Sequence, residues 1–215
     1  MNYDKTTAPQ DLRIWLKYLA NEYDATSDNP VLKIANGHKG YLTEEHLVEI
    51  FRWKLQPNHF VQAERHLKEY ASLNPKSIRE KTRSALLAES DVEALESLRG
   101  LPQMKTKSSV AVAPCLLMVL DIEKYTVMDR RANETLVSLL PVIQKLGLKH
   151  RQFRYLEKLL KTYSPPIGYL AVARDWEAYM EICRELARLT GLKLRELDRS
   201  LYTSSGDISL LGKLR

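Results

Sequence analysis

Apolar side chains recur along this chain at helical spacing, and that period limits the fold more than any other feature. Leu12, Trp15, Leu16 and Leu19 fall on one face of a segment from Pro9 to Tyr23, which the polar stretch NEYDATSDNP ends. After the turn-rich NGHKG, Thr43 stands as an N-cap before Glu44, Glu45 and His46. Leu47, Ile50, Phe51 and Leu55 then form the next apolar stripe, stopped by Pro57. Further helices are expected over His59–Leu73, Pro75–Leu87 and Asp91–Leu98. A long helix follows from Asp175 to Leu189 with Gly191 in the position of a C-cap, then a shorter one from Lys193 to about Tyr202. With only 8 Gly and 9 Pro among 215 residues, helix formers outnumber strand formers, and an all-α fold is the expectation.

The length suits one large domain or two small lobes sharing an interface. No internal repeat, low-complexity tract or separate linker stands out. Cys115 and Cys183 sit far apart in apolar helical patterns without the spacing of a zinc ribbon or redox pair, so both are expected as reduced core residues. The opening MNYDKTTAPQ lacks the apolar core of a signal peptide, and no run approaches the roughly 18–20 apolar residues of a membrane span; a cytoplasmic, nonmembrane protein is expected. The histidines His38, His46, His59, His66 and His150 form no ligand pair of the HExxH kind, and no metal or other cofactor is implied.

Charge is unevenly placed. Residues 1–100 carry 14 Lys/Arg and 15 Asp/Glu, which leaves 19 and 12 of the totals of 33 and 27 for the remainder, so the first part is −1 and the second +7. A one-sided basic balance favours a polyanionic partner, because released counterions drive such binding; a solubilising surface is the alternative. The segment from Pro141 through VIQKLGLKHRQFRYLEKLLKTYSPP mixes a leucine stripe with Lys145, Lys149, Arg151, Arg154, Lys158 and Lys161, as either a solvated or a phosphate-facing face.

Chemistry concentrates in LRGLPQMKTKSSVAVAPCLLMVLDIEKYTVMDRRANETL. A Leu-Pro turn before a helix leaves backbone amides pointing outward where the helix dipole favours anions, and Lys105 and Lys107 add two cations there; an ordinary helix–helix turn with solvated lysines is the other reading. Twenty-two positions beyond Lys107, Asp129 stands at the expected start of a helix, either as an N-cap bonded to the amide of Arg131 or Ala132 or as a working carboxylate. Arg130 and Arg131 follow it as phosphate-binding or merely exposed charges.

This stretch resembles the hairpin and catalytic loop of the helix-hairpin-helix DNA glycosylase superfamily. In that family a Leu-Pro-Gly-aliphatic-Gly hairpin precedes an apolar helix and then a Val-Asp ahead of another helix. Looser similarity extends through YLTEEHLVEIFRWK and WEAYMEICRELARLTGLKLRELDRSLYTSSG. Where the family carries hairpin glycines, this chain carries Gln103 and Lys105.

The resemblance implies two helical lobes with an interlobe cleft: residues 1–41 with 129–215 as a discontinuous lobe, and 42–128 as a central bundle containing the hairpin 99–113. It implies Asp129 as the catalytic aspartate and Lys107 as the nucleophilic lysine of the bifunctional members, with Leu101, Gln103, Lys105, Lys107, Arg130 and Arg131 on DNA. Tyr41, Trp53 and Tyr125 become candidates for the walls of a pocket taking an everted base, against ordinary core packing. The partner implied is double-stranded DNA with a modified base, bound by a monomer, in the nucleoid if the source is prokaryotic. An iron–sulfur cluster of the endonuclease III kind is excluded, since two cysteines cannot supply four ligands. A noncatalytic DNA-binding module and a helical protein-interaction factor are the rival functions.

Overall fold

The computed structural model describes residues 7–55, 68–69, 73–101, 112–165 and 173–209, and among them it is all-helical. The helices are α1 (Thr7–Glu22), α2 (Asn29–Gly37), α3 (Glu44–Leu55), α4 (Pro75–Leu87), α5 (Asp91–Ser97), α6 (Ala113–Leu120), α7 (Arg130–Lys149), α8 (Arg154–Thr162), α9 (Ala173–Thr190) and α10 (Leu194–Ser204). Short 3-10 turns occupy Ala25–Asp28 and Arg151–Phe153. The helix expected over His59–Leu73 lies almost wholly outside the described residues. No described helix is long and apolar enough to cross a membrane.

The chain divides into two compact units. One comprises Ala25–Val127 with Pro166–Glu177 and is built around α6. All eight residues of α6 are buried, from Ala113 to Leu120, as a helix apolar on every side must be. Around it pack α2, α3, α4 and α5. Each fully buried Leu, Val or Met here contributes roughly 1.5–3 kcal/mol of transfer free energy. Cys115 belongs to this wall of apolar groups and is a free, buried thiol.

The division at residue 41/42 expected from the sequence is displaced here. Residues 25–41 cluster with the central unit because α2, which sequence patterning missed, presents buried Val31 and Ile34 to α3 and α6. Pro30, in the first turn, tolerates its missing N–H there, and the polar flanks of so short a helix hide its two-residue apolar face.

Thr43 starts α3 as expected, in a reciprocal arrangement with a histidine where a Glu or Gln is usual. The His46 amide donates to Thr43 Oγ1 at 3.4 Å, and the Thr43 amide donates to His46 Nδ1 at 3.3 Å. Burial, and secondarily the charge of His38, hold the His46 pKa below its ordinary 6.5 against the pull of Glu45. The unfolded chain therefore takes up this proton first: the stabilisation is whole above about pH 6.5 and is lost as the pH falls through the lower folded value. The midpoint of thermal unfolding is expected to fall further between pH 7.5 and 5 in the wild type than in His46→Gln, which keeps an uncharged acceptor. Equal falls in the two proteins would remove His46 as the source.

The other unit comprises Met1–Asp24, Met128–Pro165 and Ala178–Arg215. In it α10 packs on α1 and α7, and α7 on α8. Buried polar bonds fix the register: Ser200 Oγ donates to the Leu16 carbonyl at 2.6 Å. Thr135 Oγ1 donates to the Leu201 carbonyl at 2.7 Å and accepts from the Gly206 amide at 2.9 Å. The α7 helix runs through Pro141, an exposed position where the absent donor removes one rung of the ladder. Gly191 ends α9 as expected, with φ +68° and its amide on the Ala187 carbonyl.

Candidate functional site

The segment preceding Asp129 explains its placement. Asp121 caps a turn, its Oδ1 accepting from the amides of Glu123 and Lys124, and Tyr125, Thr126, Val127 and Met128 follow without regular secondary structure, all four buried. The chain emerges at Asp129, which is half-buried, has extended backbone angles (φ −124°, ψ 152°) and N-caps α7: its Oδ1 accepts from the Arg131 amide at 2.9 Å. The capping reading of this residue is thus realised. A cap does not compete with a chemical role. The bond holds the side chain in one rotamer at the rim of the core, and the amide dipoles of a 20-residue helix converge on the carboxylate.

Polar groups that sequence reading missed lie in the same unit, and one of them feels the charge of this carboxylate. Tyr179 on α9 is fully buried, and its phenol pKa is pushed well up, first by burial, then by Cys183, and in smaller measure by the charges of Tyr163 and Asp129. Cys183, hydrogen-bonded to Tyr179, is itself pushed up by burial to about 12, so it remains a thiol at neutral pH and is no nucleophile. Asn133, one turn into α7, accepts a short hydrogen bond from the Tyr163 hydroxyl. The signal was the i, i+4 pair Tyr179 and Cys183 inside the apolar face of WEAYMEICRELARL; it is weak, because aromatics at helical spacing usually only fill the core.

Both arginines after Asp129 are exposed, and each has a neighbour. Arg130 Nε lies 3.4 Å from Glu134 Oε1, and the Arg131 guanidinium stacks 4.9 Å from the centre of the Tyr202 ring. Leu101 departs from its expected role on DNA: its side chain is buried and its amide donates to the Leu98 carbonyl at 3.2 Å, so it offers neither to a phosphate. Gln103, Lys105 and Lys107, with most of the hairpin 99–113, lie outside the described residues.

The three pocket candidates are not alike. Tyr125 is fully buried against Trp176, ring centres 5.7 Å apart, with Lys124 Nζ 5.0 Å over its face. Tyr41 is half-buried beneath the guanidiniums of Arg79 and Arg83, at 5.3 and 5.4 Å. Trp53 is half-buried on α3. Beside the Tyr125–Trp176 pair, Thr126 Oγ1 and Trp176 Nε1 are buried without a hydrogen-bond partner among the described residues. Among those residues, too, no three His, Cys, Asp or Glu side chains are grouped to hold a metal ion.

Comparison with family models, with curated proteins and with solved structures finds no match to this chain.

Proposed function

We propose that this protein is a DNA N-glycosylase of the helix-hairpin-helix type, acting on double-stranded DNA that carries a modified base. The observation that supports it is the setting of Asp129: a half-buried carboxylate bonded to the Arg131 amide at the head of α7, at the end of a buried, nonhelical segment. The order of motifs around it, hairpin, apolar helix, loop and acid, is that of the resemblance drawn from the sequence.

Cleaving the C1′–N bond sends its electron pair to the departing base and leaves cationic character on the sugar. A fixed carboxylate stabilises that cation without having to reorganise at the moment of reaction. Asp129 fills this role and orients the water that adds to C1′ as it gives up a proton. In the bifunctional form Lys107 replaces water: its neutral amine attacks C1′, the resulting imine allows elimination of the 3′ phosphate, and the strand breaks. An ammonium cannot attack, so this form requires Lys107 as the neutral amine.

Borohydride separates the two forms. With a modified-base duplex and the full chain, reduction is expected to trap a covalent protein–DNA complex that disappears in Lys107→Ala. Base release without trapping assigns a water nucleophile, and trapping that persists in Lys107→Ala removes the lysine from the mechanism. A noncatalytic DNA-binding module is the second reading. It is favoured by Gln103 and Lys105 in place of hairpin glycines, and it makes duplex binding indifferent to Asp129→Asn with no base released.

A further inference from the structure

The turn from α7 into α8 carries an anionic-ligand surface that the proposed chemistry does not use. Between Lys145 and Lys161 stand six Lys/Arg and a single acid, Glu157. All six cations are exposed. Some exposed cations elsewhere pair with acids one turn away, as in Arg52–Glu49, Lys76–Glu80, Arg130–Glu134 and Arg188–Glu185, while others, Lys17 and Lys33 among them, have no acidic partner among the described residues but are not clustered. Here Lys145, Arg151, Arg154 and Lys158 have no acidic partner among the described residues.

The one acid is withdrawn from the surface. Glu157 packs against Gly147, where even a Cβ would collide with its carboxylate, so α8 closes tightly on α7 at that point. Its side chain is only 19% exposed, and it is neutralised by Lys161 at 2.6 Å. Beside it runs a groove of about 560 Å³ lined by Arg154, Lys158, Lys161 and Leu148, the last 85% exposed, with the Lys161-paired Glu157 also in its wall. Arg154, Lys158 and Lys161 follow the i, i+4, i+7 line of one helix face and so span about 10 Å, comparable with three axial steps of roughly 3.4 Å along one DNA strand.

We infer that this groove is a second contact for the DNA phosphodiester backbone, distinct from the hairpin, with Arg154 and Lys158 each neutralising a phosphate. Charge complementarity selects the ligand: four cations without an acidic partner among the described residues repel one another and are relieved by a polyanion. The inference rests on the DNA-binding reading above and adds to it a patch formed by the α7–α8 turn.

The test follows binding of an unmodified duplex by fluorescence polarisation from 50 to 200 mM salt. It compares the full-length wild type, Arg154→Gln/Lys158→Gln, and the charge-matched control Lys17→Gln/Lys33→Gln on other exposed positions. Two lost phosphate contacts are expected to reduce the slope of log affinity against log salt by about 1.8, so that the wild type loses about twelvefold more affinity than the variant across that range. The control should follow the wild type. A variant slope equal to that of the wild type overturns this contact while leaving DNA binding standing. A wild type that fails to bind duplex at 50 mM salt removes the parent reading and this one with it. Capture by vesicles containing anionic lipid, without duplex binding, overturns it in favour of a membrane surface.

Discussion

Replacing Asp129 with Asn is expected to abolish base release while leaving both the fold and DNA binding intact. The substitution discriminates because Asn caps helices about as well as Asp: the bond from the Arg131 amide at 2.9 Å survives with the amide oxygen as acceptor. Only the negative charge is lost. If that charge stabilises the sugar cation, the single-turnover rate should fall at least about a thousandfold, or about 4 kcal/mol of transition-state stabilisation. Thermal stability should move by less than about 1 kcal/mol. Asp129→Ala makes the converse comparison, losing the cap as well at a further cost of about 1 kcal/mol in folding. An Asp129→Asn protein that folds, binds and still releases base at the wild-type rate would reduce Asp129 to its structural role.

The largest effect on stability is expected at a buried ion pair in the unit that carries Asp129. Arg195 and Asp198, on α10, are 8% and 3% exposed and are joined by a short side-chain bond, and the guanidinium stacks 5.8 Å from the Tyr23 ring. Asp198→Ala takes one carboxylate partner from a buried cation and opens a hole beside it, at a cost of about 3–5 kcal/mol. Removing both charges in Arg195→Met/Asp198→Ala should recover much of that loss, since an apolar pair avoids the desolvation penalty. Urea unfolding of the three proteins decides it; a loss below about 1 kcal/mol in the single variant would mean that water reaches the pair. Because α10 holds α7 through Thr135 and the Leu201 carbonyl, activity should weaken along with stability in the single variant and return in the double.

The all-α class was legible because its signal is long and redundant: α1, α4, α9 and α10 each show several turns of apolar period with a cap or breaker at an end. What escaped was short or contradictory. Helix α2 buries only Val31 and Ile34, too few positions to establish a period, and it begins in a stretch of Asp, Asn and Pro that reads as a loop. With α2 went the boundary of the central unit, since those two side chains attach residues 25–41 to α3 and α6. Asp129 was visible as an acid at a helix start, and both of its possible roles were visible as well. The polar groups of its unit, Tyr179, Cys183, Asn133 and Tyr163, were not, because they come from α7, from the end of α8 and from α9, and only the folded chain brings such distant positions together. Leu101, which the motif sets against DNA, has a buried side chain, a placement its sequence neighbours did not signal.

The most direct measurement is mass spectrometry of free bases released from a panel of duplexes, each with one modified base, incubated with the wild type and with Asp129→Asn. The account expects at least one duplex to yield its free base in step with new abasic sites, by the wild type alone. Binding across the panel with no base released by the wild type, or equal release by both proteins, would contradict it.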